Sequence, residues 1–236
     1  MKILYVFPHP DDESFGPARA ISAQIRAGHE VNLLTLTKGG ATKERHKLGY
    51  SIDQMGNVRF QEMQQVAQVL GLSDMTILDF PDSGLKELDP RVLETAIADH
   101  FTCVAPDIIV TYPVHGISGF HDHLITYAIV KRVYLQMRDE PGSTLKRLAF
   151  FTLTPEQAEI GSGQHSLSSS TADEVDCLMT VAEEDMVVFR QALDCYVTYR
   201  DMIEKTGIKE SMDRTVALEF FQESFDPPVA AIDSGL

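Results

Sequence analysis

The sequence predicts an α/β fold with a mainly parallel, doubly wound sheet flanked by helices. Three observations carry that prediction. Short β-branched and aromatic runs alternate with segments of helical period, the pattern of successive βαβ units. Glycines stand where helices of that length would stop. The chain has 236 residues, 44% hydrophobic and 23% charged, enough for one sizeable core. Together they give a single domain over residues 1–236. Its parts are a Rossmann-like core over 1–153, a flexible loop over 154–172, and a small C-terminal extension of strand, long helix and tail over 173–236.

Residues 3–7 form a β-branched and aromatic run ended by Pro8, read as a buried first strand. Residues 18–27 carry Ile21 and Ile25 at i,i+4 and stop at Gly28, so they are read as a helix. Residues 31–36 are the second strand. A glycine-rich loop at Gly39 and Gly40 and a polar stretch to Asn57 follow. Residues 58–70 place Met63, Val66, Ala67 and Leu70 at helical spacing before Gly71. The alternation continues with strand 76–80, helix 91–101, strand 108–111, helix 124–136 and strand 147–153. Residues 155–172 are rich in Gly and Ser and aperiodic, which predicts a mobile loop of the kind that serves as a lid. Residues 175–181 read as a strand and 183–205 as one long acidic helix. The remainder, with Pro227 and Pro228, reads as a tail.

Charge narrows the function. The formal net charge is −15, which disfavours a nucleic-acid or anionic-membrane partner. Residues 1–149 hold 15 basic and 18 acidic side chains, and residues 150–236 hold 5 and 17, so the excess is C-terminal and reads as a solvated acidic face. Cys103, Cys177 and Cys195 have neither CxxC nor zinc-finger spacing, which argues against a disulfide framework. The N-terminal apolar run is too short for a signal peptide. No stretch approaches the roughly 18 apolar residues of a membrane span, so a cytoplasmic location is the default expectation.

In an open parallel sheet, ligands bind beyond the carboxyl ends of the strands where strand order reverses. Two strand ends carry dense polar groups. His9, Pro10, Asp11, Asp12 and Glu13 follow the first strand; His115 to His123, with His121 and Asp122 between, follow the fourth. Strands one and four are neighbours across the switch point of the usual order, so both loops can face one crevice. Two imidazoles and a carboxylate suit zinc, with bonds of about 2.0–2.2 Å and a position left for water. The same set suits Fe(II). A lone His-x-x-Asp is a frequent chance pattern, and three histidines in nine residues can be an ordinary polar turn. The pairing at two strand ends is what points to a metal. Hydrolysis also needs a base, and adjacent carboxylates divide that labour: Asp12 ligates while Asp11 takes a proton.

The run Pro8, His9, Pro10, Asp11, Asp12, Glu13, with Asp122 and His123 after a glycine-containing loop, resembles the zinc-dependent N-deacetylases related to N-acetylglucosaminyl-phosphatidylinositol de-N-acetylase. This is the LmbE-like superfamily, whose members also deacetylate mycothiol and bacillithiol precursors and sugars of antibiotics. The motifs cover residues 1–135. The resemblance implies that His9, Asp12 and His123 hold one zinc ion and that Asp11 is the general base. It also implies that Arg59 binds sugar hydroxyls with Asp82 as its acidic partner, and it is compatible with homo-oligomers. On the residues alone, Arg59 can equally pair with Glu62 at i+3, and Asp82 can be a turn former.

One position departs from the family pattern. The second motif usually reads His-Pro-Asp-His, its first histidine stabilising the oxyanion; here it reads Phe120, His121, Asp122, His123. Three readings follow: His121, oriented by Asp122; His115, which would face the substrate; or no histidine, with zinc or backbone alone holding the oxyanion. GxxxxGK[ST], GxGxxG and GxSxG are all absent from the sequence, and Ser143 to Lys146 matches SxxK without its companion motifs. The expected activity is removal of acetate from an N-acetylated amino sugar or its conjugate. Cleavage of another small amide, or sugar binding without turnover, are the alternatives.

Overall fold

In a computed structural model, which describes residues 1–161 and 166–236, seven strands form one mixed sheet. They are β1 (Lys2–Phe7), β2 (Glu30–Thr37), β3 (Asp74–Phe80), β4 (Ile108–Thr111), β5 (Arg147–Thr152), β6 (Cys177–Thr180) and β7 (Thr215–Phe220). Their spatial order is β3-β2-β1-β4-β5-β7-β6. The first five are mutually parallel, and β7 runs antiparallel to both β5 and β6. β1 and β4 are paired, Ile3 opposite Ile108 and Tyr5 opposite Val110, so the switch point lies between them as expected.

The helices are α1 (Ala18–Arg26), α2 (Glu44–Leu48), α3 (Ile52–Leu70), α4 (Pro90–Val104), α5 (His121–Met137), α6 (Pro155–Gly161), α7 (Glu183–Asp194), α8 (Arg200–Thr206) and α9 (Ile208–Ser211). They cover both faces of the sheet. Because successive strand residues point to opposite faces, Ile3, Tyr5 and Phe7 of β1 join the core under α1, α3 and α7. Leu4 and Val6 join the second core, under α4 and α5. Burial on both faces is why these strands read as continuous apolar runs rather than as alternating ones.

Several boundaries differ from the sequence expectation. α3 begins six residues before 58, because Ser51 and Gln54 form a reciprocal capping box that satisfies two otherwise unpaired backbone N–H groups. The expected aperiodic loop at 155–172 contains α6, and its lid role at residues 162–165 lies outside the described residues. The single helix expected over 183–205 is broken after Asp194 by a 3-10 turn at Val197–Tyr199. Val197 and Thr198 are β-branched and poor helix formers, and Glu62 accepts from both the Thr198 N–H and its hydroxyl, at 2.8 and 2.7 Å. The expected tail contributes β7, which inserts between β5 and β6. No helix of the described residues is long and apolar enough to cross a membrane.

Candidate metal centre

The loop after β1 and the N-terminal turn of α5 meet beyond the switch point. One ligand atom each from His9, Asp12 and His123 lies within 4.8 Å of the others. Asp12 folds back on its own turn, accepting the His9 N–H at 2.8 Å, and its Oδ1 is 3.3 Å from His123 Nε2. Tyr112, just beyond β4, donates to the same Oδ1 at 2.6 Å and stacks on the His123 ring with centroids 4.1 Å apart. Burial would favour neutral Asp12, but the two histidines outweigh it and hold the carboxyl far below the usual range.

The remaining ring nitrogens are also held. His123 Nδ1 faces the Gly116 carbonyl at 2.9 Å, which leaves Nε2, on the Asp12 side, as the nitrogen a metal would take. Gly116 has φ of 64°, and a Cβ there would stand 2.9 Å from the His123 Cβ, so this close approach requires glycine. His9 turns Nδ1 toward Asp12 at 3.5 Å and Nε2 toward Asp122 and Asp82 at 3.1 and 3.3 Å. Burial works against a charged His9, yet its bonds to Asp12 and Asp122 and the charges of Asp12 and Asp82 raise it to about 10. Imidazoles whose far nitrogens are anchored by a carboxylate and by a carbonyl are the arrangement a divalent ion selects. The donor set therefore fits a metal.

Asp122 is buried. Its carboxylate accepts from the Ser83 and Leu85 N–H groups at 2.8 and 3.3 Å and meets His9, so it orients His9 rather than His121. His121 itself is exposed on the first turn of α5. Two residues of helix turn the side chain by about 200°, so His121 and His123 project to opposite sides. His115 is half-buried, its Nδ1 accepting the Ile117 N–H at 3.1 Å and its Nε2 3.4 Å from the Ser170 hydroxyl. Ser170 in turn bonds Thr152 and Glu219, on the β5–β7 side of the sheet. Neither histidine belongs to the groups that gather around His9. Phe120 does border the centre, edge-on to His123 with ring centroids 5.6 Å apart.

Arg59 also departs from expectation. It is 2% exposed and points inward from α3, where its Nη2 donates to the Pro10 carbonyl at 2.6 Å and to Asp11 Oδ2 at 2.8 Å. Its Nη1 meets the Gly39 carbonyl and the Tyr199 hydroxyl, and the Tyr199 ring lies 4.4 Å from the guanidinium. A Cβ at Gly39 would collide with this guanidinium at 2.4 Å. The i+3 partner considered from sequence, Glu62, is occupied by Thr198 instead. Asp82 is close to the centre, accepting from the Ala41 N–H at 2.6 Å. Burial raises Asp11 to about 6, a shift that Arg59 restrains.

Four participants were not singled out from sequence. Tyr112 reaches Asp12, Ser83 offers its N–H to Asp122, Tyr199 contacts Arg59, and Tyr196 accepts the Asp11 N–H at 2.8 Å. The tyrosines carried no local signal: Tyr112 follows the apolar run of the fourth strand, and Tyr196 and Tyr199 fall within the segment read as one acidic helix.

The sequence pattern of one family, PIG-L, described as GlcNAc-PI de-N-acetylase, matches residues 4–134. A similar curated protein is the 1D-myo-inositol 2-acetamido-2-deoxy-alpha-D-glucopyranoside deacetylase of Thermomonospora curvata. It is 28% identical over 181 residues, covering 65% of this chain and 60% of that protein. The chain thus spans less than two thirds of the length of this relative. Among solved structures, a triple mutant of a deacetylase of the teicoplanin biosynthetic pathway has a TM-score of 0.72 at 14% identity, covering 95% of this chain and 100% of that one. GalB, the 4-carboxy-2-hydroxymuconate hydratase of Pseudomonas putida, has a TM-score of 0.69 at 15% identity, covering 94% and 96%. At such identities the likeness is one of fold, and one fold carries both chemistries, so activity must be argued from the site.

Proposed function

Because the chain belongs to the GlcNAc-PI de-N-acetylase (PIG-L) family, we propose that it is a zinc-dependent hydrolase that removes acetate from an N-acetylated amino sugar or N-acetylglucosaminyl conjugate. The observation that carries this reading is the convergence of His9, Asp12 and His123 beside an Asp11 carboxylate fixed by Arg59. Zinc held by these three residues would supply Lewis acidity, polarising the amide carbonyl and bringing the acidity of water near neutral pH.

The rest of the chemistry falls to the chain. Asp11 takes the proton of the attacking water, and a carboxyl raised to about 6 is a stronger base than an ordinary aspartate while still ionised at neutral pH. The same carboxyl, once protonated, returns the proton to the departing nitrogen. Arg59 keeps the side chain in place and favours its charged form. Asp122 and Gly116 hold the two imidazoles in the orientation that presents the coordinating nitrogens. Asp82, beside His9 and the loop after β2, is the acidic group assigned to sugar hydroxyls.

The test is acetate release from a panel of N-acetylglucosaminyl conjugates, with zinc restored after chelation. Turnover that chelation abolishes and zinc restores supports the reading; turnover indifferent to chelator overturns it.

A further inference from the structure

Asp11 has φ of 86°, a left-handed conformation that is strained for a residue with a Cβ. Such a conformation persists only where the surroundings over-determine it. The Asp11 carbonyl accepts from the Ser14 and Phe15 N–H groups at 2.8 and 2.9 Å, and its carboxylate is held by Arg59. Its N–H is met from the far end of the chain. The Tyr196 hydroxyl, reached after α7 and 185 residues away, accepts that N–H at 2.8 Å and donates to Glu13 Oε1 at 2.7 Å. The two bonds are compatible, since a phenol that gives its hydrogen to a carboxylate keeps lone pairs for an amide. Ser14 donates to the same Glu13 oxygen at 2.6 Å, fixing the direction of the hydroxyl.

We propose that Tyr196 is a positioning residue for Asp11, its hydroxyl locking the strained backbone that aims the carboxylate at the water beside the metal ligands. Phenylalanine would fill the same buried space, so the function resides in one oxygen atom. The break between α7 and α8 is what delivers it, and Tyr199 from the same turn braces Arg59, the cation that holds the carboxylate. Tyr196 lies outside the stretch matched by the family pattern, which makes the C-terminal segment part of this site. The proposal rests on the reading of Asp11 as the base.

The experiment uses Tyr196→Phe in the zinc-loaded protein. A displacement of about 1 Å costs an oriented group on the order of 100-fold, so kcat for acetate release should fall about 10- to 100-fold. KM and zinc stoichiometry should stay unchanged. In an Asp11→Asn background the same substitution should change the residual kcat by less than about twofold, since it acts only through the base. Amide hydrogen exchange at Asp11 should accelerate at least about tenfold as its buried partner is lost. Unchanged Asp11 protection, or a kcat loss that persists in full beside Asp11→Asn, overturns the proposal. Should Tyr196→Phe fail to fold, 3-fluorotyrosine at 196 keeps the shape and alters the hydroxyl; it must shift the Asp11 amide resonance, and no shift overturns the proposal equally. The amide measurements need no substrate, so they decide the clamp even where acetate release fails and the functional reading falls.

Discussion

Asp11, in the loop after β1, and Asp122, on the first turn of α5, are two carboxylates set apart by their partners. Asp11 faces a guanidinium, whereas Asp122 faces backbone N–H groups and His9. Asp11→Asn should therefore keep full zinc stoichiometry and a folded structure while kcat falls by about 10²- to 10⁴-fold, since an amide cannot accept the proton. Near-normal turnover in that variant would remove Asp11 from the mechanism. Asp122→Asn should show the opposite split. It weakens the anchor of His9 Nε2, so zinc affinity measured by competition with a chelator should drop about 10- to 100-fold. His121→Ala should leave kcat within about threefold, because helix geometry turns that side chain away from His123; a loss of 100-fold would restore it as the oxyanion donor.

Elements differ in how clearly the sequence announces them. The five parallel strands and α1, α3, α4 and α5 between them were legible because each is a local pattern, as in α3 with Gly71 as its stop, whereas the short α2 fell in the stretch read as a polar loop. The loop motifs at residues 9–13 and 115–123 were legible for the same reason. β7 was not, although Thr215 to Phe220 is β-branched and aromatic, because its place between β5 and β6 depends on pairing with segments 35 and more residues away. The break after α7 depends on Glu62, which is distant in sequence. α7 is instead fixed to α1 through Asp185, whose buried carboxylate accepts from Ser22, from Arg26 and from the Ala182 N–H at 2.9, 2.7 and 2.8 Å. Burial would raise this carboxyl, but Arg26 and these hydrogen bonds depress it below the ordinary range. Its contribution to stability is thus present above the unfolded value of about 4 and fades as pH falls through the lower, folded value. Half of Arg26 is solvated, so Asp185→Asn should cost about 1–2 kcal/mol at neutral pH by urea unfolding. The difference from wild type should shrink on acidification below about pH 4. A gap that stays constant down to pH 2 would show that the charge is not what ties α7 to α1.

For the molecule as a whole, the net charge of −15 is concentrated in residues 150–236, which bring 17 acidic and 5 basic side chains. That segment supplies α7, α8 and the antiparallel end of the sheet, so its charges are gathered beside the core rather than spread along a separate tail. Like charges gathered in a folded segment repel more than in the expanded chain. Salt acts in two directions here. It weakens attractive surface pairs such as Arg190 with Glu183, each worth about 0–1 kcal/mol, and it screens the more numerous repulsions. The screening length falls from about 30 Å at 0.01 M to about 8 Å at 0.15 M, which spans the separation of charges across such a segment. With acids exceeding bases more than threefold in this segment, repulsion outweighs attraction. The unfolding midpoint should rise by a few degrees between 0.01 and 0.15 M sodium chloride at pH 7 with zinc held constant. Replacing exposed Glu183 and Glu184 by glutamine should reduce that rise. Both also face an arginine, Glu183 meeting Arg190 at 3.1 Å and Glu184 meeting Arg26 at 3.0 Å, so each neutralisation removes an attraction as well as a repulsion. A midpoint that falls with salt would mean that the ion pairs dominate, and that the acidic segment is held together by its few cations rather than strained by its excess of anions.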